Sequence, residues 1–363
     1  MKESANPEIL EHLLNGRPLV DVRAPVEYFK ATIPNAVNLP ILNDEERAAV
    51  GTTYKNSGQN AAIELAHKLV SGEIRETRIQ AWVNFFRKHP DARIYCFRGG
   101  LRSRFAAESL IPYGIHTEPI PGGYKCLRRL LIEELEAACI RDSFAVVSGY
   151  TGSGKTELLR QLSENKRALD LEHFARHRGS AFGRLAKPQP TQINFENEMA
   201  LQLARLTRSE CAGPIVLEDE SRQIGSLVIP QSLFHRISTS PVYVIERPRT
   251  ERARRLVYEY LLGDESACAH ESIEGIRNRL TTSLNAIKRR LGGADHTKFM
   301  KAMNAALDEQ ARSGSIDSHI PWIEDLLARY YDPLYDRHLE RIRERIFARG
   351  PVEEVAEALK ALR

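Results

Sequence analysis

The sequence predicts an α/β protein in which an N-terminal domain with a parallel sheet precedes a P-loop domain with a helical C-terminal part. Short apolar segments alternate with helical patterns in the first half, which favours a parallel sheet. A glycine-rich loop follows one of these segments at Cys96, and a phosphate-binding loop begins at Gly149. From Thr250 onward the pattern is almost entirely helical.

We expect the first domain over residues 1–126, a connecting helix over 127–142 and the second domain over 143–363. In the first domain, turn residues bound short apolar runs, which predict strands, and two longer stretches have helical periodicity. Parallel sheets bind ligands at the carboxyl ends of strands, and Cys96 directly follows one predicted strand. The predicted strands are 18–23, 36–40 and 94–95, and the predicted helices are 60–70 and 75–88.

The segment 96–103, CFRGGLRS, has the composition of an anion cradle around a nucleophile. A thiolate is the competent nucleophile, and backbone amides or cations lower the pKa of a cysteine. The two glycines allow successive N–H groups to point inward, and the two arginines can stabilise a thiolate and bind an oxyanion. A buried structural cysteine at a strand end is the alternative. The candidate catalytic residue is Cys96, and the candidate anion-binding residues are Arg98, Gly99, Gly100, Arg102 and Ser103.

The segment 149–156, GYTGSGKT, satisfies the P-loop pattern G-x-x-x-x-G-K-[ST]. A predicted strand at 144–147 precedes it and a predicted helix at 157–162 follows it, as that pattern requires. The glycines allow a diphosphate to approach the backbone, the lysine adds positive charge, and the threonine hydroxyl can ligate Mg²⁺. A chance match is the alternative. The candidate diphosphate-binding residues are Gly149, Thr151, Gly152, Ser153, Gly154, Lys155 and Thr156.

Acidic residues occur in two further predicted strands, at 167–172 and 214–222, and another strand is predicted at 241–245. The segment 214–222 is similar to a Walker B strand, in which a carboxylate can hold a metal-bound water. A solvated acidic strand end is the alternative. The candidate metal-binding or water-positioning residues are Asp170, Glu218 and Asp219.

Composition places the chain among ordinary globular proteins. Its 363 residues are enough for two domains with separate cores. Hydrophobic residues make up 42% of the chain and charged residues 28%, which is ordinary for a globular protein. No apolar run approaches the ~18 residues of a membrane span, and the N-terminus has no signal-peptide core, so we expect a cytoplasmic protein without a membrane partner. The five cysteines are widely spaced and include no CxxC pair, which predicts reduced thiols.

Positive charge is concentrated although the net charge is only +4. Cations recur at helical spacing in 246–255 and 288–290, where a phosphate backbone would fit and a solvated helix surface is the alternative. The aromatic residues Trp322, Tyr330, Tyr331 and Tyr335 favour core packing over base stacking. The candidate nucleic-acid-binding residues are Arg247, Arg249, Arg252, Arg254, Arg255, Lys288, Arg289 and Arg290.

The N-terminal part resembles the rhodanese family of sulfurtransferase domains in segments 20–28 and 33–40 and in the Cys96 loop. The resemblance implies that Cys96 carries a chalcogen as a persulfide-like or selenenyl-sulfide intermediate. Thr32 stands where rhodaneses usually have histidine. Arg102 follows Cys96 by six positions, one more than in the common sulfurtransferase loop, which equals the C-x5-R spacing of phosphatases that share the rhodanese fold. This spacing favours a donor with a phosphate-like group.

The order of all the motifs resembles the bacterial tRNA 2-selenouridine synthase family. Besides the two loops, the matching segments are PGGYK at 121–125, LDLE at 169–172, HRGSAFG at 177–183 and EDES at 218–221. The resemblance implies replacement of sulfur by selenium in tRNA that carries 2-thiouridine at the wobble position. It also implies selenophosphate as donor, an S-geranyl intermediate made from geranyl diphosphate, and no tightly bound cofactor. Mg²⁺ and an enzyme that supplies selenophosphate are candidate partners.

Our hypothesis is that the P-loop binds the diphosphate of geranyl diphosphate and that Cys96 delivers selenium to C2 of the uridine. Two other classes stay open on the sequence alone. One is an ATP-dependent tRNA sulfurtransferase, in which the P-loop activates a carbonyl group. The other is a rhodanese-fold phosphatase fused to a kinase-like domain, for which the sequence shows no obvious general-acid aspartate.

Overall fold

The computed structural model describes residues 7–163, 167–183, 187–261 and 271–362. The chain divides into two compact units. The first contains residues up to Ala138 together with Thr191–Arg205, and the second contains Cys139–Pro190 and the chain from Leu206 onward. Each unit has a parallel sheet, so the predicted α/β class is confirmed.

The strands are short, as expected from the brief apolar runs between turn residues. They are β1 Leu19–Asp21, β2 Ala36–Asn38, β3 Arg93–Tyr95, β4 Phe144–Gly149, β5 Ala168–Leu169, β6 Ile215–Glu218, β7 Gln223–Ile224, β8 Leu227–Val228, β9 Val242–Ile245 and β10 Ile346–Gly350.

Helices make up most of the remaining described structure. They are α1 Pro7–Leu14, α2 Pro25–Lys30, α3 Asp44–Leu69, α4 Gly72–Lys88, α5 Leu101–Leu110, α6 Gly123–Arg141, α7 Lys155–Ser163, α8 Leu171–Ala175, α9 Gln192–Leu206, α10 Gln231–Thr239, α11 Arg249–Leu261, α12 Ile273–Leu291, α13 Gly293–Ser313, α14 Ile320–Leu326, α15 Asp332–Arg341 and α16 Val352–Lys360. A π-helical turn, Leu327–Tyr331, lies between α14 and α15.

The first unit is built on a three-stranded parallel sheet of order β2-β1-β3. Val20 pairs with Ile94 at the centre of the sheet, and Trp82 and Phe86 of α4 belong to the same buried apolar core. Cys96 directly follows β3, so it lies at the carboxyl end of a parallel strand, as predicted.

Helix α9 belongs to the first unit although it follows the P-loop in sequence. Asn194 Oδ1 accepts a hydrogen bond from the Thr32 amide (2.7 Å), and Asn197 Nδ2 donates to the Thr32 carbonyl (2.6 Å). Arg128 of α6 donates to Asn197 Oδ1 at 2.7 Å. The position where rhodaneses usually have histidine is therefore held through its backbone by a helix from later in the chain.

The second unit contains a five-stranded parallel sheet of order β10-β9-β4-β6-β5. Its central strand, β4, is buried along its whole length and leads directly into the P-loop. A second apolar core surrounds Phe299, Met303 and Trp322 in the helical part. The aromatic residues Trp322, Tyr330 and Tyr331 are buried there, in agreement with the predicted packing role.

Three predicted elements differ from the structure. The strand predicted over 167–172 ends at Leu169, because Asp170 accepts a hydrogen bond from the His173 amide (2.7 Å) and begins α8. Strand β10 lies within the stretch predicted to be helical and pairs in parallel with β9. Helix α3 begins at Asp44, well before residue 60, and is interrupted at Gly58. None of the described helices is long and apolar enough to cross a membrane.

Candidate functional site

The Cys96 thiol lies inside a ring of hydrogen-bond donors formed by the loop and the first turn of α5. Its Sγ accepts from the Gly100 amide and from the Ser103 hydroxyl, each at 3.2 Å. Burial by itself would raise the pKa of Cys96, but the Ser103 hydroxyl and the amides of Ser103, Arg98 and Gly100 outweigh it and lower the pKa. The loop therefore favours the nucleophilic thiolate.

Two glycines hold this loop against the start of α6. Gly99 has φ +65°, and a Cβ there would lie 2.7 Å from the Ile120 carbonyl oxygen. Gly123 has φ +55°, and a Cβ there would lie 2.2 Å from the Cys96 carbonyl oxygen. The Tyr124 amide donates to that carbonyl at 2.8 Å. Only glycine fits this close backbone approach, which fixes the curvature of the cradle.

The two arginines of the loop have different environments. Arg98 is exposed, with its guanidinium carbon 5.9 Å from the centroid of the Phe97 ring. Arg102 donates to Glu27 through Nη1 (2.7 Å) and Nη2 (3.3 Å), and Arg47 also pairs with Glu27 (3.1 Å). Burial would raise the pKa of Glu27, but these arginines lower it, so its carboxylate stays charged. Sequence reasoning assigned no role to Glu27, although it lies in the segment that resembles rhodaneses.

A second carboxylate of the first unit, Asp21 at the end of β1, is also neutralised within the protein. Asp21 and Arg23 form a fully buried ion pair with an Nη2–Oδ2 distance of 2.6 Å. The same Arg23 donates to the Ala31 carbonyl (2.6 Å) and lies 4.1 Å from the centroid of the Tyr124 ring. This pair links β1, α2 and the start of α6 beneath the loop, which is a positioning role.

The P-loop of the second unit joins β4 to α7, as predicted. Lys155 Nζ donates to the Gly149 carbonyl (2.9 Å) and lies 5.4 Å from the centroid of the Tyr335 ring. Burial would lower the pKa of Lys155, but Tyr335 and the nearby glutamates raise it, so the ammonium stays charged. Ser153 Oγ is buried and has no hydrogen-bond partner among the described residues, and a phosphate oxygen would satisfy this hydroxyl.

A cavity of about 1250 Å³ opens from the P-loop. One wall consists of residues 151–156, and the remainder combines apolar and aromatic side chains with a set of arginines. The apolar and aromatic lining includes Ala181, Leu256, Tyr260, Ala286, Ile287, Tyr330, Tyr331 and Leu334. A diphosphate cradle thus faces a partly apolar chamber that is larger than the roughly 300–1,000 Å³ of typical small-molecule sites.

The three acidic residues predicted to hold a metal or a water are all engaged by protein groups. Asp170 caps α8, and Glu218 Oε2 accepts from the Leu171 amide (2.9 Å). Asp219 Oδ2 accepts from the Ser148 hydroxyl (2.6 Å) and contacts His338 Nε2 (2.7 Å). Among the described residues, no three His, Cys, Asp or Glu side chains converge on a metal site. A Mg²⁺ ion would therefore take most of its ligands from the diphosphate and water, which is its common mode of binding.

Glu172 and Glu220 are two of the carboxylates that line the cavity, and the sequence reasoning missed both. Thr156 Oγ1 donates to Glu172 Oε2 (3.1 Å), and both Glu220 oxygens would lie 2.8 Å from a Cβ at Gly179, close to Glu172. Burial and, after it, the nearby negative charge of Glu172 raise the pKa of Glu220 to about 8. Both glutamates lie in the segments LDLE and EDES that the sequence analysis singled out, and this position was the available signal. In those segments the neighbouring acidic residues were chosen as candidates instead.

The predicted nucleic-acid-binding cations have different environments in the structure. Arg252 is only 3% exposed and pairs with buried Asp332 (2.9 Å), so it cannot contact a nucleic acid and the prediction for it is wrong. Arg249 joins the same pair (2.9 Å) from an exposed position. Arg255 pairs with Glu157 (2.8 Å) while lining the cavity. Arg254, Arg289 and Arg290 are exposed and line the cavity, whereas Arg247 and Lys288 do not line it.

The remaining cysteines agree with reduced thiols where the structure describes them. Cys96, Cys126 and Cys211 form no disulfide with another described residue, and Cys268 lies outside the described residues. Cys96 therefore does not have to be released from a disulfide before it reacts.

Comparisons with known proteins identify both domains. Residues 6–116 match the rhodanese-like domain, and residues 142–363 match the domain described as the tRNA 2-selenouridine synthase AAA domain. A tRNA 2-selenouridine synthase of Marinobacter nauticus is 43% identical over 96% of each chain. Those of Shewanella piezotolerans (44%, 93% of each chain) and Pseudomonas fluorescens (45%, 90% of this chain and 89% of the relative) are equally similar. The chain therefore belongs to the tRNA 2-selenouridine synthase family.

Proposed function

We propose that this enzyme replaces sulfur by selenium in 2-thiouridine at the wobble position of tRNA, with selenophosphate as donor and S-geranyl-2-thiouridine as intermediate. The names of the relatives support the overall reaction. The observation that carries the geranyl step is the cavity in which a P-loop faces an apolar and aromatic wall. A diphosphate with an isoprenoid chain has the same two parts.

In the first step, the sulfur of 2-thiouridine attacks C1 of geranyl diphosphate. The C–S bond forms, the C1–O bond breaks, diphosphate leaves, and the N3 proton passes to solvent. Lys155, the loop amides and the Ser153 hydroxyl would stabilise the charge that develops on the leaving diphosphate. Leu256, Ile287 and Leu334 would bury the isoprenoid chain, at about 0.8 kcal/mol for each CH₂ removed from water.

In the second step, selenide adds to C2 of the S-geranyl base and geranylthiolate leaves. Alkylation makes this substitution easier because a thioether sulfur is a better leaving group than the sulfide of the parent base. The Cys96 cradle, with Arg98, Arg102 and the amides around Gly100, would bind the selenophosphate and then the phosphate released from it.

The arginines that line the cavity support a binding surface for the tRNA. Arg254, Arg289 and Arg290 form no ion pair with any residue that the structure describes. Tyr258 lies one helical turn after Arg254, is 60% exposed and lines the same cavity. Arginines with an exposed aromatic ring are typical of single-stranded RNA sites, in which the ring stacks on a base. We infer that the wobble nucleotide stacks on Tyr258 while the arginines hold the flanking phosphates.

The central test is mass spectrometry of 2-thiouridine tRNA after incubation with selenophosphate, with and without geranyl diphosphate. We expect Lys155→Ala to reduce geranylation strongly and Cys96→Ala to abolish selenation while geranylation persists. Lys301→Ala and Cys211→Ala, which change exposed residues away from both loops, are the matched controls. Loss of both activities in each folded variant would refute this division of roles, and hydrolysis of ATP that depends on tRNA would favour the sulfurtransferase class instead.

The tRNA surface has its own test, which needs neither co-substrate. An anticodon stem-loop with 5-iodouridine at the wobble position should photo-crosslink to the peptide that contains Tyr258. Arg289→Ala should weaken binding and reduce the slope of log K against log salt by about 0.7 to 0.9, whereas Arg312→Ala, an exposed arginine outside the cavity, should leave both unchanged. Crosslinks confined to other peptides, with equal slopes, would contradict the assignment.

A further inference from the structure

The oxidation state of selenium limits what Cys96 can do. In selenophosphate, selenium is bound to phosphorus(V) and has the oxidation state of selenide. A selenenyl sulfide on Cys96 would contain selenium two electrons more oxidised. Forming it by attack of the thiolate on selenium would expel phosphorus as a phosphorus(III) species, and no oxidant takes part in the proposed reaction. The selenenyl-sulfide intermediate implied by the rhodanese resemblance therefore does not balance with this donor.

We propose that Cys96 instead attacks the phosphorus atom of selenophosphate. The S–P bond forms and the P–Se bond breaks, and selenium leaves with the bonding pair as hydrogen selenide. Water then cleaves the phosphocysteine, which yields inorganic phosphate and restores the thiolate. No atom changes oxidation state in either step. This inference rests on the proposed donor and assigns Cys96 the role of a phosphoryl acceptor.

The loop has the geometry that attack on a tetrahedral phosphoryl group requires. Five residues separate Cys96 from Arg102, and the thiolate lies within 3.2 Å of the Gly100 amide and the Ser103 hydroxyl. Donors that surround the nucleophile would also surround the equatorial oxygens of a phosphoryl group bonded to it. Arg102 lies in the first turn of α5, and Glu27 holds its guanidinium at 2.7 Å.

The carboxylates next to the loop also favour selenophosphate over a phosphate ester. An alkoxide leaving group needs a general acid, whereas hydrogen selenide is acidic enough to leave without a proton. Glu27 is bound by two arginines, and Asp21 is fully buried against Arg23. Neither carboxyl is available to protonate a leaving group. Nucleophilic chemistry at this loop therefore suits a donor whose leaving group needs no acid.

Selenide released at the cradle is also the species that the second step consumes. It is a strong nucleophile toward C2 of the S-geranyl base. In this scheme selenide forms only when Cys96 attacks selenophosphate, and not by hydrolysis in bulk solution. Selenide would therefore be generated only when Cys96 is reduced and the loop is intact.

The test is isotope exchange without tRNA. Full-length enzyme is incubated with unlabelled selenophosphate and ⁷⁷Se-labelled hydrogen selenide under anaerobic conditions. Reversible phosphoryl transfer to Cys96 should move ⁷⁷Se into selenophosphate, as ³¹P NMR reports through the P–Se coupling. Cys96→Ala should reduce the exchange to the rate without enzyme, and Cys211→Ala should exchange as the wild type does.

A trapping experiment identifies the adduct directly. Enzyme mixed with selenophosphate is denatured at mildly alkaline pH, and the Cys96 peptide is analysed by mass spectrometry. A phosphoryl adduct without selenium is the expected result. Active selenation of tRNA with a selenium adduct on Cys96 and no exchange would overturn the inference while leaving the proposed function intact. Failure of the wild-type enzyme to use selenophosphate at all would instead refute the proposed donor, and the inference with it.

Discussion

The Ser103 hydroxyl is the contact through which the reactivity of Cys96 can be changed most cleanly. It lies 3.2 Å from the thiol sulfur, and also 3.2 Å from the Gly100 carbonyl oxygen, so its single proton is divided between two acceptors. A hydrogen bond to a charged group contributes about 1.5–3 kcal/mol. Because the Ser103 proton is shared, its contribution to the thiolate should lie near the lower end of that range. Since one pKa unit corresponds to about 1.4 kcal/mol, Ser103→Ala should raise the pKa of Cys96 by about one unit.

That shift has two opposite effects on the reaction of Cys96 with a small disulfide. At a pH below both pKa values the thiolate fraction falls about tenfold, but the intrinsic nucleophilicity rises about threefold, because the Brønsted coefficient is about 0.4–0.5. The net rate at a pH below both pKa values should therefore fall about threefold, whereas the plateau rate at high pH should rise about threefold. The two pH profiles should cross.

The assay is the rate of mixed-disulfide formation at the Cys96 peptide, measured by mass spectrometry as a function of pH. Ser109→Ala is the matched control, because Ser109 lies on the same helix and its hydroxyl donates to the Phe105 carbonyl at 2.8 Å. An unchanged midpoint in folded Ser103→Ala would refute the assignment of the lowered pKa to this hydroxyl. A uniform decrease at every pH would show altered access and no change in pKa.

Three other changes test the architecture. Gly123→Ala should lower the thermal midpoint and the reactivity of Cys96, because its Cβ would meet a carbonyl oxygen at 2.2 Å, whereas Gly51→Ala, with no atom within 4 Å, should not destabilise. Arg252→Ala should cost about 3 kcal/mol in the free energy of unfolding from denaturant titration, because it removes the main partner of a buried carboxylate. Glu220 has a pKa of about 8 when folded, so its stabilising contribution is complete below about pH 4.5 and is lost as the pH rises toward 8. The thermal stability of Glu220→Gln relative to the wild type should therefore increase between pH 5 and pH 8.

Local patterns were sufficient to predict the positions of both loops. Cys96 and Lys155 each follow a short apolar strand and precede a helix, and such strand–loop–helix units are specified by neighbouring residues. Strand β10 was missed because its stability comes from pairing with β9, about a hundred residues earlier, and not from its own sequence. The same limitation applies to Glu27, whose carboxylate becomes relevant only when Arg102 is brought against it.

Helix α9 shows what local sequence patterns cannot predict about domain membership. It follows the P-loop in sequence but belongs to the first unit. The periodicity of a helical segment does not specify which core the helix joins. The structure packs it in the first unit, with Asn194 and Asn197 bound to both backbone groups of Thr32. These two bonds involve only the backbone of residue 32. They therefore do not depend on whether its side chain is threonine or histidine. The departure from the rhodanese pattern thus coincides with an added structural contact from α9.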